Sequence, residues 1–211
     1  MKYLGKPAGM WALFAGSFEK HLTVEFDLTA GQAKDVAARA KKKYREIIAK
    51  LPEFDKRDRF EMNIVNCAML AAFILCMPQR PDIKTLTDYY AAAMMTPTMK
   101  AFCRASGKKK FTPKDIEGMK ATAKLRAGDR NPYSWNMDFY EYPDGSGYEA
   151  RFSRCGICTL MQELGLQDLT PALCHLDYTM AEARGSATFV REYTLASGGP
   201  YCDCGYKKRQ K

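Results

Sequence analysis

The hydrophobic pattern of this chain changes period once, at residues 128–132, and that change limits the folds open to it. Before it, apolar residues recur three and four apart, the spacing of a helix with one buried face. Trp11, Phe14, Ala15, Phe18 and Leu22 mark a first helix over residues 8–28, with Pro7 at its start. Val36, Ala40, Tyr44, Ile47, Ile48 and Leu51 mark a second, from Gln32 to a stop at Pro52, begun by Thr29 or Gly31. A third is expected to open at Asp55 and Asp58 and to end at Pro78. Its second half is apolar nearly all round, so it reads as the central helix. A fourth starts at Pro81 and Asp82, Pro97 interrupts it, and a short helix over residues 98–105 follows. Thr112, Pro113 and Asp115 supply a cap, a first-turn proline and an acidic third residue, which predicts a helix to Ala127.

After the change the period is two. Residues 134–142 alternate, with Trp135, Met137, Phe139 and Glu141 on one face. A Pro-Asp-Gly-Ser-Gly turn leads into a returning strand over residues 148–153, which predicts a hairpin. Helical patterning resumes over residues 156–164 and 169–183. A β-rich run over 188–195, a Ser-Gly-Gly-Pro turn and a closing strand over 201–208 complete the chain, before a basic tail expected to fray. The expected class is α+β: an N-terminal helical bundle packed on a C-terminal antiparallel sheet made of two hairpins flanking a helix. The helical region would span residues 1–130 and the α+β, cysteine-rich module residues 131–211, joined in one integrated domain.

Several function classes are excluded at this level. There is no phosphate-binding loop and no Gly-rich dinucleotide signature. The longest apolar run, residues 64–77, is interrupted by Asn66 and falls short of the roughly 18 residues a membrane span needs. No small-residue cleavage site follows the N-terminal apolar run, so no export signal is expected. A cytoplasmic location with no membrane partner follows, and with it eight cysteines kept as reduced thiols. The net charge of +9 is uneven: 25 Lys and Arg against 14 Asp and Glu precede residue 132, and 8 against 10 follow. The runs Lys41, Lys42, Lys43 and Lys108, Lys109, Lys110 read as a solvated helix face and a loop. No aromatic-interleaved basic pattern accompanies them, so no nucleic-acid partner is expected.

Chemistry concentrates between Arg151 and Tyr206. Five of the eight cysteines lie there: the Cys155-Gly-Ile-Cys158 pair, Cys174, and Cys202 and Cys204 flanking Asp203. One reading is a zinc or iron–sulfur site held by Cys155, Cys158, Cys174 and Cys202. The irregular spacing favours the other: no cofactor, and thiols gathered beside a pocket. Cys202 and Cys204 are two apart on a strand and point the same way, with Asp203 opposite. Cys174 and Asp177 share a helix face, whereas His175 points about 100° away, against a Cys174–His175 dyad. The expected catalytic residues are Cys174, Asp177, Cys202 and Asp203, a thiol attacking and a carboxylate moving protons. Arg154 and Arg191 are expected to hold a substrate carboxylate. Trp135 and Asn66 are the further candidates for substrate binding. Asn66, in the apolar helix, either lines the cavity or bonds to a neighbouring turn.

These residues also carry a family likeness. From Arg154 onward the chain resembles the L-2-amino-thiazoline-4-carboxylic acid hydrolase family. The matching pieces are Arg154-Cys155 with Cys158; Gly165-Leu166 and residues 169–171; Cys174 with Asp177-Tyr178; Arg191; Thr194-Leu195-Ala196; Gly198-Gly199; and Cys202-Asp203. Where members usually carry an aromatic residue after the Cys-Asp pair, this chain has Cys204. The resemblance implies a hydrolase that opens a C–N bond of a small, carboxylate-bearing cyclic amidine, giving a carbamoyl-cysteine. The final hairpin with its cysteines is also similar to small-molecule-binding domains of the vinyl-reductase type. That likeness implies a ligand-binding module without turnover.

Overall fold

Along the chain run α1 (Lys6–Glu25), α2 (Ala30–Lys50), α3 (Glu61–Cys76), α4 (Ile83–Met94), α5 (Pro97–Gly107) and α6 (Pro113–Arg126). Strands β1 (Asn136–Glu141) and β2 (Gly147–Arg154) follow, then α7 (Gly156–Glu163), α8 (Thr170–Arg184), β3 (Ala187–Val190) and β4 (Cys202–Lys208). The structure, a computed structural model, describes residues 1–209. The order, helices first and antiparallel strands after, is the expected α+β class. Two units divide the chain: Met1–Thr96 with Ile157–Leu173, and Pro97–Gly156 with Cys174–Lys211. Among the described residues no helix is long and apolar enough to cross a membrane.

The first unit is built around α3. Every residue from Ile64 to Ile74 is buried, as an all-round apolar helix requires. Trp11 of α1 stacks between Tyr44 of α2 and Phe73 of α3, each 5.6 Å away between ring centres. Buried phenols need partners, and two find backbone carbonyls: Tyr44 donates to Pro7 O at 3.0 Å and Tyr89 to Phe18 O at 3.2 Å. Thr29 caps α2 in a reciprocal box with Gln32, and Asp82 caps α4 by accepting from Thr85 N at 2.9 Å. The start of α3 differs from expectation. Asp55 and Asp58 lie before it and fold back on the connection, accepting from Arg57 N and Phe60 N, each at 2.8 Å. Their carboxylates close local turns, the strongest competing use of a short acidic side chain, and the helix begins at Glu61.

The second unit carries the sheet, ordered β1-β2-β4-β3 and antiparallel throughout. Register places Tyr148 opposite Tyr206, Ala150 opposite Cys204 and Phe152 opposite Cys202. These six residues therefore share one face, joined by Phe189 opposite Tyr206 on β3. The other face shows Glu149, Arg151 and Asp203. A bulge between Asn136 and Asp138 shifts the register of β1 near its start. Thr112 caps α6, and Asp115 in its first turn accepts from the Tyr148 hydroxyl at 2.7 Å, tying helix to sheet.

Two sequence expectations change at the end of the chain. The strand expected over residues 188–195 stops at Val190, because Asp203 on β4 takes the next two backbone donors with its side chain. Glu192 N and Tyr193 N donate to it at 2.7 and 2.6 Å, in place of a strand ladder. The frayed basic tail falls in part on Gln210 and Lys211, which lie outside the described residues. Arg209 before them is held, donating to Glu182 and, through its backbone, to Ser186 O.

Gly205 on β4 shows how tightly β3 and β4 meet. A Cβ there would sit 2.4 Å from the Tyr142 hydroxyl and 2.6 Å from Val190 Cγ2. Gly205→Ala is expected to cost about 1–3 kcal/mol by overpacking, read as a lowered urea midpoint at unchanged m-value. A midpoint equal to wild type would show that the tyrosine and valine swing aside freely.

Candidate functional site

Arg191 organises the second unit's cysteine-rich end. It follows β3 directly, so the end of the strand aims its side chain back across β4 towards α8. One amine donates to Cys174 O at 2.9 Å; the other donates to Asp177 Oδ2 and to Cys204 Sγ, the latter at 2.9 Å. Its Nε reaches Asp203 O at 3.4 Å. The guanidinium lies 4.6 Å over the Phe189 ring, and its side chain is 6% exposed. Burial works against that charge, but Cys204 and Asp177 beside it outweigh burial and hold it protonated. Five donors in a fixed fork suit this task; a lysine could not span the same acceptors.

The thiols gather around this cation. Cys202 and Cys204 share the face of β4 that meets α8, as two residues a strand pleat apart must. Burial pushes the Cys174 thiol up to about 12, and neighbouring Cys155 adds to the shift while Arg191 opposes it. Burial also pushes Cys204 up, reinforced by Asp177. Cys202 is raised by burial too, but Leu195 N donates to its sulfur at 3.2 Å and, with Arg191, pulls the other way. That donor is available because Thr194 opens a 3-10 turn over Leu195–Ser197, its hydroxyl accepting from Ser197 N at 3.1 Å, and Gly198 closes it with a left-handed φ of 80°.

The other expected residues are placed as follows. Asp177 on α8 shares the Arg191 pairing and keeps 42% of its side chain exposed. Asp203 gives one oxygen to each of the two backbone donors after Arg191, which fixes the loop. Arg154 donates to Asp129 O at 2.7 Å and approaches its carboxylate at 3.4 Å, while its Nε is buried with no hydrogen-bond partner. Trp135 is buried at the entrance to β1. Asn66 lies in the first unit, where its amide donates to Met94 Sδ at 3.3 Å and its oxygen accepts from the Tyr90 hydroxyl at 2.7 Å. His175 is on the exposed side of α8, stacked on Tyr178 at 5.4 Å. Cys158 lies in α7. Among the described residues, no three His, Cys, Asp or Glu side chains are placed to hold a metal ion.

Two parts of this site were missed by sequence reasoning. Asp129 links Arg154 to the buried Arg126, whose amine it accepts at 2.5 Å, and Asn131 N donates to it at 2.7 Å. The Gly-Asp-Arg-Asn stretch reads as a linker; only the Asp-X-Asn turn spacing hinted at a folded carboxylate. The Leu195 donor had no signal at all, since a backbone amide has none. A shallow groove of about 340 Å³ between α6 and β1, bridged by Lys120 and Glu141 at 2.6 Å, holds none of the candidate residues.

Comparison with known families decides the kinship. The family model for L-2-amino-thiazoline-4-carboxylic acid hydrolase matches residues 62–206, well over half of the chain. The chain belongs to that family. Searches of curated proteins and of solved structures found no match. The L-2-amino-thiazoline-4-carboxylic acid hydrolase match begins in α3 and ends in β4, so it takes in Arg154, Arg191 and the five cysteines from Cys155 to Cys204.

Proposed function

We propose that this chain is a hydrolase that opens a C–N bond of a small, carboxylate-bearing cyclic amidine. Family membership supports the class of reaction. The observation that carries the reading is the Leu195 amide on Cys202 Sγ, beside the buried Arg191 charge. An N–H aimed at sulfur stabilises a thiolate; Cys204 has instead a side-chain donor, the Arg191 guanidinium.

Cys202 is then the nucleophile. Its thiol gives up its proton to Asp177 as the sulfur adds to the amidine carbon, and the ring nitrogen leaves as an amine after taking that proton. Water next adds to the same carbon and expels the Cys202 thiolate, leaving a carbamoyl group on the product. Asp177, partly open to water, handles the protons. Arg154 holds the substrate carboxylate, which satisfies the buried Nε that has no protein partner. Arg191, Cys174 and Asp203 position the others.

Incubation with 2-amino-thiazoline-4-carboxylate tests this directly. The expected result is one carbamoyl product and one new primary amine per substrate; a new thiol in place of the amine would mean that the C–S bond breaks and would overturn the C–N reading. Cys202→Ser is expected to lose at least ~100-fold in kcat. A ligand that raises the melting temperature yet is recovered unchanged, here and with related cyclic amidines, would replace the hydrolase with a binding module.

A further inference from the structure

The longest acid-free stretch that bears several cations lies between Asp88 and Asp115, with Lys100, Arg104, Lys108, Lys109, Lys110 and Lys114 and no Asp or Glu. It contains α5, whose inner side is anchored. Cys103 is fully buried, and Gly107 lies so close to α8 that a Cβ would sit 2.5 Å from Arg184 O. The opposite side is open. Ala101, Phe102 and Ala105 are exposed there, Phe102 at 59%. Lys100, Arg104, Lys108 and Lys109 surround them, all exposed.

Several cations on other helices are neutralised by a neighbour one turn away. Lys43 pairs with Glu46, Arg39 with Asp35 and Lys84 with Asp88. Lys100, Arg104, Lys108 and Lys109 form no ion pair among the described residues. An exposed aromatic with two alanine methyls, ringed by unneutralised charge on an anchored amphipathic helix, is a surface shaped for two kinds of contact at once.

We propose that this face of α5 docks on an anionic lipid bilayer. Phe102 would enter the acyl boundary, and the four cations would sit at the level of the lipid phosphates. Charge complementarity commits the occupant to an anionic surface. The apolar centre separates bilayer from nucleic acid, which is bound through several aromatic platforms interleaved with polar base readers. Here one ring stands among alanines. Such binding needs no spanning helix, so it is compatible with helices too short or too polar to cross.

Sedimentation with vesicles tests it. The full chain is expected to co-sediment with phosphatidylglycerol vesicles at low salt, to stay in solution with phosphatidylcholine, and to be released at high salt. Reversing Lys108 and Lys109 to Glu is expected to lower partitioning at least ~10-fold. Phe102→Ser is expected to remove the part of the binding that resists salt, and Phe102→Trp to give a blue-shifted emission only with the anionic vesicles. All three positions are exposed, and unchanged melting temperatures would confirm intact variants. Failure to sediment at low salt, binding indifferent to either variant, or preference for a single-stranded nucleic acid over the vesicles would each overturn the proposal.

Discussion

Arg191→Met is expected to lower stability by about 2–4 kcal/mol and to abolish turnover. Methionine keeps the length of the side chain and its contact with Phe189, but donates nothing. Cys174 O, Cys204 Sγ and Asp203 O lose the donors that now reach them. Asp177 can turn to water, since it is 42% exposed, which keeps the loss below that of a fully buried pair. Arg191→Lys should recover only part, because one ammonium cannot replace a planar fork between α8 and β4. Urea midpoints of the two variants provide the measurement. A pair of midpoints within about 0.5 kcal/mol of wild type would mean that the guanidinium is decoration on a site held by other contacts.

How Arg191 works was only half legible in the sequence. Its residue type in a β-rich run marked it as a candidate, and the even spacing of Cys202 and Cys204 put both thiols on one face. The direction of its side chain depended on where β3 ends. That end is set by Asp203, which caps two backbone amides across the turn. A carboxylate between two cysteines reads as chemistry in a sequence, and backbone capping by a residue ten positions away leaves no periodic trace. The same reason hides Asp129, whose partners lie 3 and 25 residues distant.

Helices were more legible than site contacts because their causes are local. Thr29, Asp82 and Thr112 each cap the helix that the sequence places after them, since a cap and its amide are three residues apart. The start of α3 was misplaced where two local uses of aspartate compete, and the turn won over the cap. Asn66 was left between a cavity and a structural bond; its amide is taken up by Tyr90 and Met94, residues a full helix away.

Stability is expected to fall as pH rises above about 8.5, the ordinary cysteine value, because of the thiol cluster. Cys174 is pushed up to about 12 by burial, and Cys202 and Cys204 are raised by the same cause. Below the ordinary cysteine range each thiol is protonated in both the folded and the unfolded chain, so the full stability is present. Above it the unfolded chain releases protons that the folded chain keeps. Unfolding is then favoured by about 1.4 kcal/mol per pH unit for each such thiol, until the folded value is passed. By pH 10 that is about 2 kcal/mol each for Cys174 and Cys204. Buried tyrosines, Tyr148 among them, are raised as well and add to the trend at higher pH, so the useful window ends there. Urea midpoints under reducing conditions between pH 8 and 10 should decline in the wild type and decline less in Cys174→Ala and Cys204→Ala. Lysine titration is common to all three and cancels in the comparison. Parallel slopes would show that these thiols ionise freely in the folded protein. Alkylation by iodoacetamide across the same range adds the functional half of the argument. Cys202, with the Leu195 amide on its sulfur, should react before Cys174 and Cys204, and either of those reacting first would move the nucleophile off Cys202.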